Sequence, residues 1–233
     1  MPTIAFASPK GGVGKTTAAV LLATEITQRG KAVTLIDADP NKPISSWSRL
    51  PGQPENLSVI SEVTEETIID EIEDAEAKSP FVIVDLEGTA NLMVGYAISR
   101  SDYVVIPSQG SQLDAKEATK AIRLIKQQEK AFKRSIPYAV LLTRTSAAIR
   151  TRSLRHIQEQ LRSHDVDLFD VQLIEREAFR AIFSFGGGLS NLNPKEVGGL
   201  NGAIINARAF ASEVIERIRN TSPDLPQQKP EVF

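Results

Sequence analysis

The sequence lacks the side chains on which several classes of protein chemistry depend. It contains no cysteine and only two histidines, His156 and His164. Without cysteine the chain cannot form disulfides, thiolate metal sites or cysteine-ligated iron–sulfur clusters. Two histidines alone do not supply the four ligands of a structural zinc site. Few groups remain for covalent or redox chemistry, which favours a function based on ligand binding and charge.

Strong net charge and long apolar runs are absent as well. The formal net charge is −2, so overall basicity gives no argument for nucleic-acid binding. No apolar run approaches the roughly 20 residues of a membrane-spanning helix. The first residues lead into a strand pattern rather than a secretory signal. We therefore expect a cytoplasmic protein that has no membrane partner.

The length of 233 residues is enough for one sizeable hydrophobic core. We expect a single domain over residues 1–220. The remaining segment, 221–233, carries Pro223, Pro226 and Pro230 among polar residues, and it is predicted to be a disordered tail.

Strand and helix patterns alternate along the chain. Continuous apolar runs such as Phe81–Val84 are typical of parallel strands that are buried on both faces. Asp114 and Glu117 are predicted to form a capping box at the fourth helix. The Gly-rich segment 184–202 is predicted to be a loop rather than a second phosphate site. We predict strands near 3–8, 32–37, 57–61, 80–85, 102–107 and 136–142, and helices near 15–28, 64–77, 90–99, 114–133, 150–163 and 203–219.

This alternation predicts a doubly wound α/β fold. Such a fold has a mostly parallel sheet with helices on both faces, because each crossover between parallel strands places a helix against the sheet. Ligands of such folds bind outside the carboxyl ends of the strands. The residues that follow the predicted strands are therefore the first candidates for a functional site.

A glycine-rich loop joins the first predicted strand to the first helix. Residues 10–17 read Lys-Gly-Gly-Val-Gly-Lys-Thr-Thr. They match the second half of a P-loop, whose usual first glycine is replaced here by Pro9. Glycines let backbone N–H groups approach phosphate oxygens, and the start of the next helix adds positive potential. The predicted nucleotide-binding residues are Lys10, Gly11, Gly12, Val13, Gly14, Lys15, Thr16 and Thr17.

Three side chains of this loop have separate predicted roles. Lys15 can reach the β- and γ-phosphates and is a predicted catalytic residue. The Thr16 hydroxyl suits Mg²⁺, and Thr17 suits the α-phosphate. The P-loop therefore predicts that the chain binds a nucleoside triphosphate together with Mg²⁺.

Acidic residues follow two of the predicted strands. Asp37 and Asp39 occur in the sequence Asp-Ala-Asp-Pro after the second strand, and Asp85 follows the apolar run Phe81–Val84. At the mouth of a parallel sheet these carboxylates would lie near the γ-phosphate. We predict that Asp37 and Asp85 support or hold Mg²⁺ together with the threonine of the P-loop. Asp39 is predicted to act in catalysis by positioning or activating the attacking water.

With Lys10 at the start of the loop, the sequence resembles the ParA/MinD family of deviant Walker A ATPases. Specific motifs carry this resemblance over roughly residues 1–145. It implies ATP and Mg²⁺ as cofactors and a weak, partner-stimulated hydrolysis of ATP to ADP and phosphate. It also implies an ATP-bound homodimer in which Lys10 takes part in catalysis by reaching the partner's nucleotide. In relatives, residues at the position of Thr143–Arg144 contribute to the base pocket.

The chain departs from this family after Asp85. The family usually continues with Thr-Pro-Pro, whereas this sequence continues with Leu86-Glu87-Gly88. Glu87 is interpreted either as a solvated residue or as a contact to Mg²⁺ or to a partner.

Two predicted helices carry an excess of basic residues. Such charge runs are usually solvated helix faces, but ParA-like proteins bind DNA nonspecifically through basic helices of the dimer. The resemblance thus implies a switch ATPase that segregates or positions plasmid or chromosomal DNA. It would work with a ParB-like or cargo-adaptor protein and would be nucleoid-associated when bound to ATP. The candidate DNA contacts are Lys116, Lys120, Arg123, Lys126, Arg150, Arg152 and Arg155.

Other functions share parts of this pattern. The same ATPase could position a protein cargo or assist conjugative DNA transfer, as VirC-type relatives do. A MinD-like membrane switch is disfavoured, because the tail has one basic residue, Lys229, and no amphipathic period. A P-loop metabolic ligase, such as a dethiobiotin synthetase-like enzyme, is disfavoured because it requires neither Lys10 nor the Asp-x-Asp-Pro motif.

Overall fold

The computed structural model describes residues 1–88, 91–146 and 152–221. Seven strands form one sheet: β1 (Thr3–Phe6), β2 (Val33–Ala38), β3 (Leu57–Ile60), β4 (Phe81–Leu86), β5 (Tyr103–Ser108), β6 (Tyr138–Thr145) and β7 (Leu173–Ile174). Their order across the sheet is β3-β2-β4-β1-β5-β6-β7, and all neighbouring strands are parallel. The predicted doubly wound α/β fold is confirmed.

Helices cover both faces of this sheet. The described residues form eight α-helices: α1 (Lys15–Gln28), α2 (Pro43–Ser48), α3 (Ile68–Lys78), α4 (Leu92–Arg100), α5 (Gln112–Phe132), α6 (Arg152–Ser163), α7 (Glu177–Phe185) and α8 (Leu200–Thr221). Alternating side chains of the strands serve the two faces, as β1 illustrates. Its Ile4 and Phe6 pack with α1, α2, α7 and α8, while Ala5 packs with α3, α4, α5 and α6. Both faces of the inner strands are therefore buried, which explains why these strands are nearly continuous apolar runs.

Three elements were not predicted from the sequence: β7, α2 and α7. The segment 184–202 was predicted to be a loop, but α7 continues to Phe185, a 3₁₀ turn covers Leu189–Asn191, and α8 begins at Leu200. At its far end α8 reaches Thr221, where the predicted tail was to begin. The rest of the tail, 222–233, lies outside the described residues.

The glycine-rich part of that segment packs closely against the end of α2. Gly186 has a left-handed backbone with φ of 85°, and a Cβ there would lie 2.3 Å from the carbonyl oxygen of Pro51. The Gly187 carbonyl accepts a hydrogen bond of 3.2 Å from the indole Nε1 of Trp47. Glycine is thus required by close backbone packing, which supports the predicted structural role over a second phosphate site.

The start of α5 also differs from its prediction. Ser111 is the N-cap, and its hydroxyl accepts the backbone N–H of Asp114 at 3.3 Å. The same hydroxyl donates to the Asp114 carboxylate. The predicted Asp114–Glu117 capping box is therefore wrong: the helix begins three residues earlier than that box requires, and Glu117 instead pairs with Lys120.

No helix in the described part of the chain is both long and apolar enough to cross a membrane.

Candidate functional site

A cleft of about 590 Å³ opens at the carboxyl ends of β1, β2 and β4. This is the edge of the sheet at which doubly wound folds bind ligands. The cleft brings together the loop after β1 with residues that follow β2 and β4 and with Arg144 near the end of β6. Its walls are formed by Pro9, Gly11, Gly12, Gly14, Lys15, Thr16, Thr17, Asp39, Pro40, Asn41, Glu87, Gly88 and Arg144.

The glycine-rich loop presents a row of free backbone donors. Gly12 and Gly14 have φ of 73° and 91°, a left-handed conformation that favours glycine. The carbonyl of Gly12 is bound by Gln109 at 3.2 Å, and that of Val13 by Thr143 at 2.7 Å. Within the described residues, no backbone N–H from Gly11 to Thr17 has a hydrogen-bond partner. Unpaired N–H groups at the start of α1 make an anion site suited to phosphate.

Lys15 lies in this loop as a buried cation. Its side chain is 6% exposed, and its Nζ donates a hydrogen bond of 3.4 Å to the carbonyl of Lys10. Burial lowers the pKa of Lys15, while the charges of Asp85, Asp39 and Glu87 act in the opposite direction. An arriving phosphate would add negative charge and favour the ammonium form further.

Asp37 and Asp85 form a buried pair of carboxylates at the floor of the cleft. They lie directly opposite each other on β2 and β4, and both are fully buried. Asp85 accepts the Thr16 hydroxyl at 2.6 Å through Oδ2, and Asp37 accepts the backbone N–H of Ser45 at 2.8 Å. The remaining oxygen of each carboxylate, Oδ1, has no partner among the described residues.

Burial controls the ionisation of this pair. It raises the pKa of Asp85 to about 7, although the Thr16 hydroxyl and the charge of Lys15 oppose the shift. It also raises the pKa of Asp37, against hydrogen bonds from the backbone of Ser45 and neighbouring residues. Both carboxylates therefore gain when a cation arrives to balance their charge.

These residues fit Mg²⁺ on the condition that phosphate oxygens and water complete its shell. Mg²⁺ is commonly bound through one or two carboxylates and keeps waters and phosphate oxygens. The Thr16 hydroxyl and the unpaired oxygens of Asp37 and Asp85 match that requirement. The described residues contain no group of three or more His, Cys, Asp or Glu side chains able to hold a metal by themselves. The donor set thus suits a metal that arrives with a nucleotide.

Asp39 and Glu87 stand on the walls of the same cleft. Asp39 is half-buried, and its Oδ1 accepts the backbone N–H and the side-chain amide of Asn41 at 2.8 and 2.9 Å. Glu87 is half-buried as well and follows β4. Its neighbour Gly88 lies against the P-loop, because a Cβ at Gly88 would be 3.3 Å from the nitrogen of Gly11.

Lys10 is bound to its own chain in this structure. Its Nζ lies 2.6 Å from Oδ1 of Asp114, which is 2% exposed, whereas Lys10 is 39% exposed. Asp114 also accepts the Ser111 hydroxyl. The pair connects the P-loop to the first turn of α5. Sequence reasoning did not find it, because Asp114 had been assigned only to a helix cap.

A second, smaller cavity of about 50 Å³ adjoins the cleft. It lies between Thr17, Arg144 and the side chains of α7, among them Arg176, Phe179 and Arg180. Arg144 has φ of 51°. Thr143 and Arg144, which the family resemblance associates with the base pocket, line this cavity together with residues of α7, a helix that was not predicted from the sequence.

The candidate DNA-contact residues divide into several groups. On α5, Lys116, Lys120 and Arg123 are exposed and lie at i, i+4 and i+7, on one face of the helix. Lys120 is paired with Glu117 at 2.7 Å. Lys126 is paired with Glu129 and lies 5.3 Å from the ring of Tyr138. On α6 Arg155 is exposed, Arg152 lies in the first turn, and Arg150 lies outside the described residues.

Comparisons with known proteins find relatives that match nearly the whole chain. A family model described as VirC1 protein matches residues 1–217. "Protein ParA" of Rhizobium radiobacter is 40% identical over 218 residues, which cover 94% of this chain and 98% of that protein. "Protein virC1" of Rhizobium rhizogenes is 30% identical over 223 residues, covering 93% of this chain and 90% of that protein.

A solved structure shares the fold at lower identity. The putative plasmid partition protein of Borrelia burgdorferi, described as bound to AMPPNP, superposes with a TM-score of 0.68 at 19% identity, covering 93% of this chain and 99% of that chain. At this identity the likeness supports the fold alone.

Proposed function

The chain belongs to the VirC1 family, and from this premise and the geometry of the cleft we propose that it is an ATP-dependent switch ATPase that positions DNA. Residues 1–220 would act as one ATPase domain. The observation that carries the proposal is the row of unpaired N–H groups from Gly11 to Thr17, next to the buried cation of Lys15. Such an arrangement is suited to the phosphates of a nucleotide.

The residues of the cleft have separate tasks in this proposal. Lys15 places its ammonium on the β- and γ-phosphates, and Thr17 lies beside the α-phosphate. Thr16, Asp85 and Asp37 would hold Mg²⁺, which would neutralise phosphate charge. A relative of the same fold is described as bound to AMPPNP, which supports ATP as the nucleotide.

Dimerisation would couple nucleotide binding to DNA binding. The family resemblance implies that Lys10 contacts the nucleotide of a second protomer. In this structure Lys10 is paired with Asp114 at 2.6 Å, so it must leave that carboxylate in order to do so. The proposed cycle has an ATP-bound homodimer, hydrolysis stimulated by a ParB-like or cargo-adaptor protein, and release after hydrolysis.

The exposed basic face of α5 is the proposed DNA contact. Lys116 and Arg123 have no ion-pair partner among the described residues, so both are available for phosphate oxygens. Lys126 contributes less, because Glu129 and the ring of Tyr138 already hold its ammonium group. In a cytoplasmic location this contact would associate the ATP-bound dimer with the nucleoid.

A second candidate function uses the same ATPase in conjugative DNA transfer or in positioning a protein cargo. The specific observation in its favour is the match of the VirC1 family model to residues 1–217, together with the 30% identity to a virC1 protein. The partner distinguishes the two functions, because a centromere-binding protein would stimulate a partition ATPase and a transfer or cargo protein the alternative.

The ATPase is tested by ATP binding and phosphate release in the purified chain. We expect Lys15→Ala to abolish both, because the phosphates lose their buried cation. Lys10→Ala should keep binding and lose ATP-dependent dimerisation and hydrolysis. Lys195→Ala, an exposed position remote from the cleft, is the matched control. Hydrolysis that survives Lys15→Ala would contradict the proposal.

DNA binding is tested by an ATP-dependent shift of nonspecific duplex over a salt series. We expect Lys116→Ala combined with Arg123→Ala to weaken binding for every sequence and to flatten the salt dependence by about two phosphate contacts. Lys31→Ala combined with Lys195→Ala, two exposed lysines outside α5, serves as the charge-matched control. If the wild type shows no ATP-dependent binding at low salt, this part of the proposal is wrong.

A further inference from the structure

Lys42 has a backbone conformation that is unusual for a lysine. Its φ and ψ are 49° and 50°, in the left-handed region, which is uncommon for residues other than glycine. It also precedes Pro43, and a residue before proline prefers an extended backbone. Strain of this kind persists only where surrounding contacts fix it, and it concentrates at functional sites. The reason for a lysine at this position lies in the contacts of its side chain.

The side chain of Lys42 joins the ends of β2 and β3. The paired register of these two strands ends at Ile36 and Ile60. One residue further along each strand, the ammonium group of the half-buried Lys42 donates hydrogen bonds to the carbonyl of Asp37, at 3.4 Å, and to the carbonyl of Ser61. The lysine thus connects the two strands at the point where their backbone pairing stops.

The backbone of Lys42 closes the turn that carries Asp39. Its N–H donates a hydrogen bond of 2.9 Å to the Asp39 carbonyl, and its own carbonyl accepts the N–H of Ser46 in α2 at 3.0 Å. Asp39, Pro40 and Asn41 form part of the cleft wall, whereas Lys42 is not among the described residues that line it. Lys42 therefore acts on the cleft from behind, through the residues that it holds.

The contacts of Lys42 and of α2 meet at Asp37. The Asp37 carbonyl accepts the Lys42 ammonium group, and the carboxylate accepts the N–H of Ser45 at 2.8 Å through Oδ2. Ser45 lies in the first turn of α2 and reaches Asp37 because the chain reverses in the turn that Lys42 closes. The other oxygen, Oδ1, is buried and has no partner among the described residues. These contacts fix the carboxylate with Oδ1 as the oxygen that stays free for a cation.

We propose that Lys42 is a positioning residue for the metal site, which holds Asp37 so that its free oxygen serves Mg²⁺ or a water of the Mg²⁺ shell. The inference rests on the proposed ATPase function, in which Asp37, Asp85 and Thr16 would hold the metal. Removing a partner that orients a metal ligand commonly lowers metal affinity by about 10- to 100-fold. Lys42 touches neither the metal nor the nucleotide in this proposal, so its effect should appear in the response of nucleotide binding to Mg²⁺.

The test measures the Kd of a fluorescent, non-hydrolysable ATP analogue in excess Mg²⁺ and in excess EDTA. In the wild type, Mg²⁺ should tighten binding. Lys42→Met keeps an unbranched apolar side chain and removes the hydrogen-bond donors, so the Kd in Mg²⁺ should rise by about tenfold or more, while the Kd in EDTA stays within about twofold. Lys42→Arg keeps a cation with several donors and should restore a large part of the Mg²⁺ response.

Lys42→Gly separates the effect of the ammonium group from that of the backbone. Glycine adopts the left-handed conformation without strain, so a role of the backbone alone predicts the wild-type Mg²⁺ response in this variant. A role of the ammonium group predicts that glycine behaves as methionine does. Lys133 offers the matched control, because it is an exposed lysine with φ of 51° at the far end of α5. Lys133→Met and Lys133→Gly should leave both Kd values unchanged.

The contrary results have separate consequences. If Mg²⁺ tightens binding equally in the wild type and in Lys42→Met, or if Lys42→Gly keeps the wild-type response, the role of Lys42 is refuted and the ATPase stands. If Lys42→Met weakens binding equally in Mg²⁺ and in EDTA, Lys42 supports the fold rather than the metal site, and its proposed role is wrong. A wild type whose Kd is the same in Mg²⁺ and in EDTA refutes the role as well. A wild type that binds no analogue in either condition refutes the proposed function itself.

Discussion

Replacing Asp85 by asparagine is expected to stabilise the nucleotide-free protein at neutral and alkaline pH. Asp85 is fully buried, and burial raises its pKa from 3.8 to about 7. The unfolded chain therefore releases this proton near pH 4, whereas the folded protein keeps it until about pH 7. The folded state binds more protons over this window, so its stability falls as the pH rises from about 4 to 7 and stays low above it.

The size of the effect follows from the shift. Each pKa unit corresponds to about 1.4 kcal/mol, so ionised Asp85 costs the folded protein on the order of 4 kcal/mol above pH 7. Between pH 5 and pH 8 the wild type should lose about 3 kcal/mol of unfolding free energy through this group. Asparagine does not ionise and can still accept the Thr16 hydroxyl through its amide oxygen. The variant should lack this loss.

Urea denaturation followed by circular dichroism, without nucleotide or Mg²⁺, measures the effect at pH 5 and pH 8. The quantity of interest is the difference between wild type and Asp85→Asn at each pH, and it includes the change that the substitution causes at Asp37, whose pKa is also raised by burial and whose charge acts on Asp85. Asp170→Asn, at an exposed position, controls for the loss of one acid. If the two proteins differ by the same amount at both pH values, the buried-charge argument is refuted.

Two further expectations follow from close contacts. Asp114→Asn removes the charge that pairs with Lys10 of the same chain at 2.6 Å. Because Lys10 is then free to reach a second protomer, the Kd of the ATP-dependent dimer, measured by analytical ultracentrifugation, should fall by about tenfold. A Kd that stays the same or rises would contradict this interpretation of the pair. Gly186→Ala forces a Cβ to within 2.3 Å of the Pro51 carbonyl at φ of 85°. This substitution should lower the free energy of unfolding, measured by urea denaturation, by about 2 kcal/mol or more. Gly198→Ala, where the added Cβ meets open space, should change that free energy little.

The elements that sequence reasoning found are those set by local pattern. Strands buried on both faces appear as nearly continuous apolar runs, and β1, β2, β4, β5 and β6 were located from them, whereas the exposed or half-buried edge strand β3 was predicted without such a run. The missed elements are short: β7 has two residues and α2 has six. Their positions depend on partners distant in sequence, as when Asn206 of α8 accepts the backbone N–H of Ile174 at 3.0 Å. A two-residue strand carries too little pattern to be distinguished from a loop.

The candidate site divides in the same way. That Asp37 and Asp85 would meet could be predicted, because both lie at the carboxyl ends of strands of one parallel sheet, and the structure places them opposite each other. The pairing of Lys10 with Asp114 could not, since 104 residues separate them and nothing in the local sequence links the two. Asp114 was assigned to a helix cap on its spacing to Glu117, while Ser111 is the residue that caps α5.

The position of Trp47 gives the chain an internal optical probe. It is the only tryptophan in the sequence, is 1% exposed, and lies in α2 two residues after Ser45, whose N–H binds Asp37 at 2.8 Å. Its indole is also hydrogen-bonded to Gly187. Indole emission depends on the polarity and hydrogen bonding around the ring. The tryptophan fluorescence of the protein therefore reports on the region between Asp37 and the glycine-rich loop at Gly187. Titrations and stopped-flow traces of nucleotide binding therefore need no attached dye.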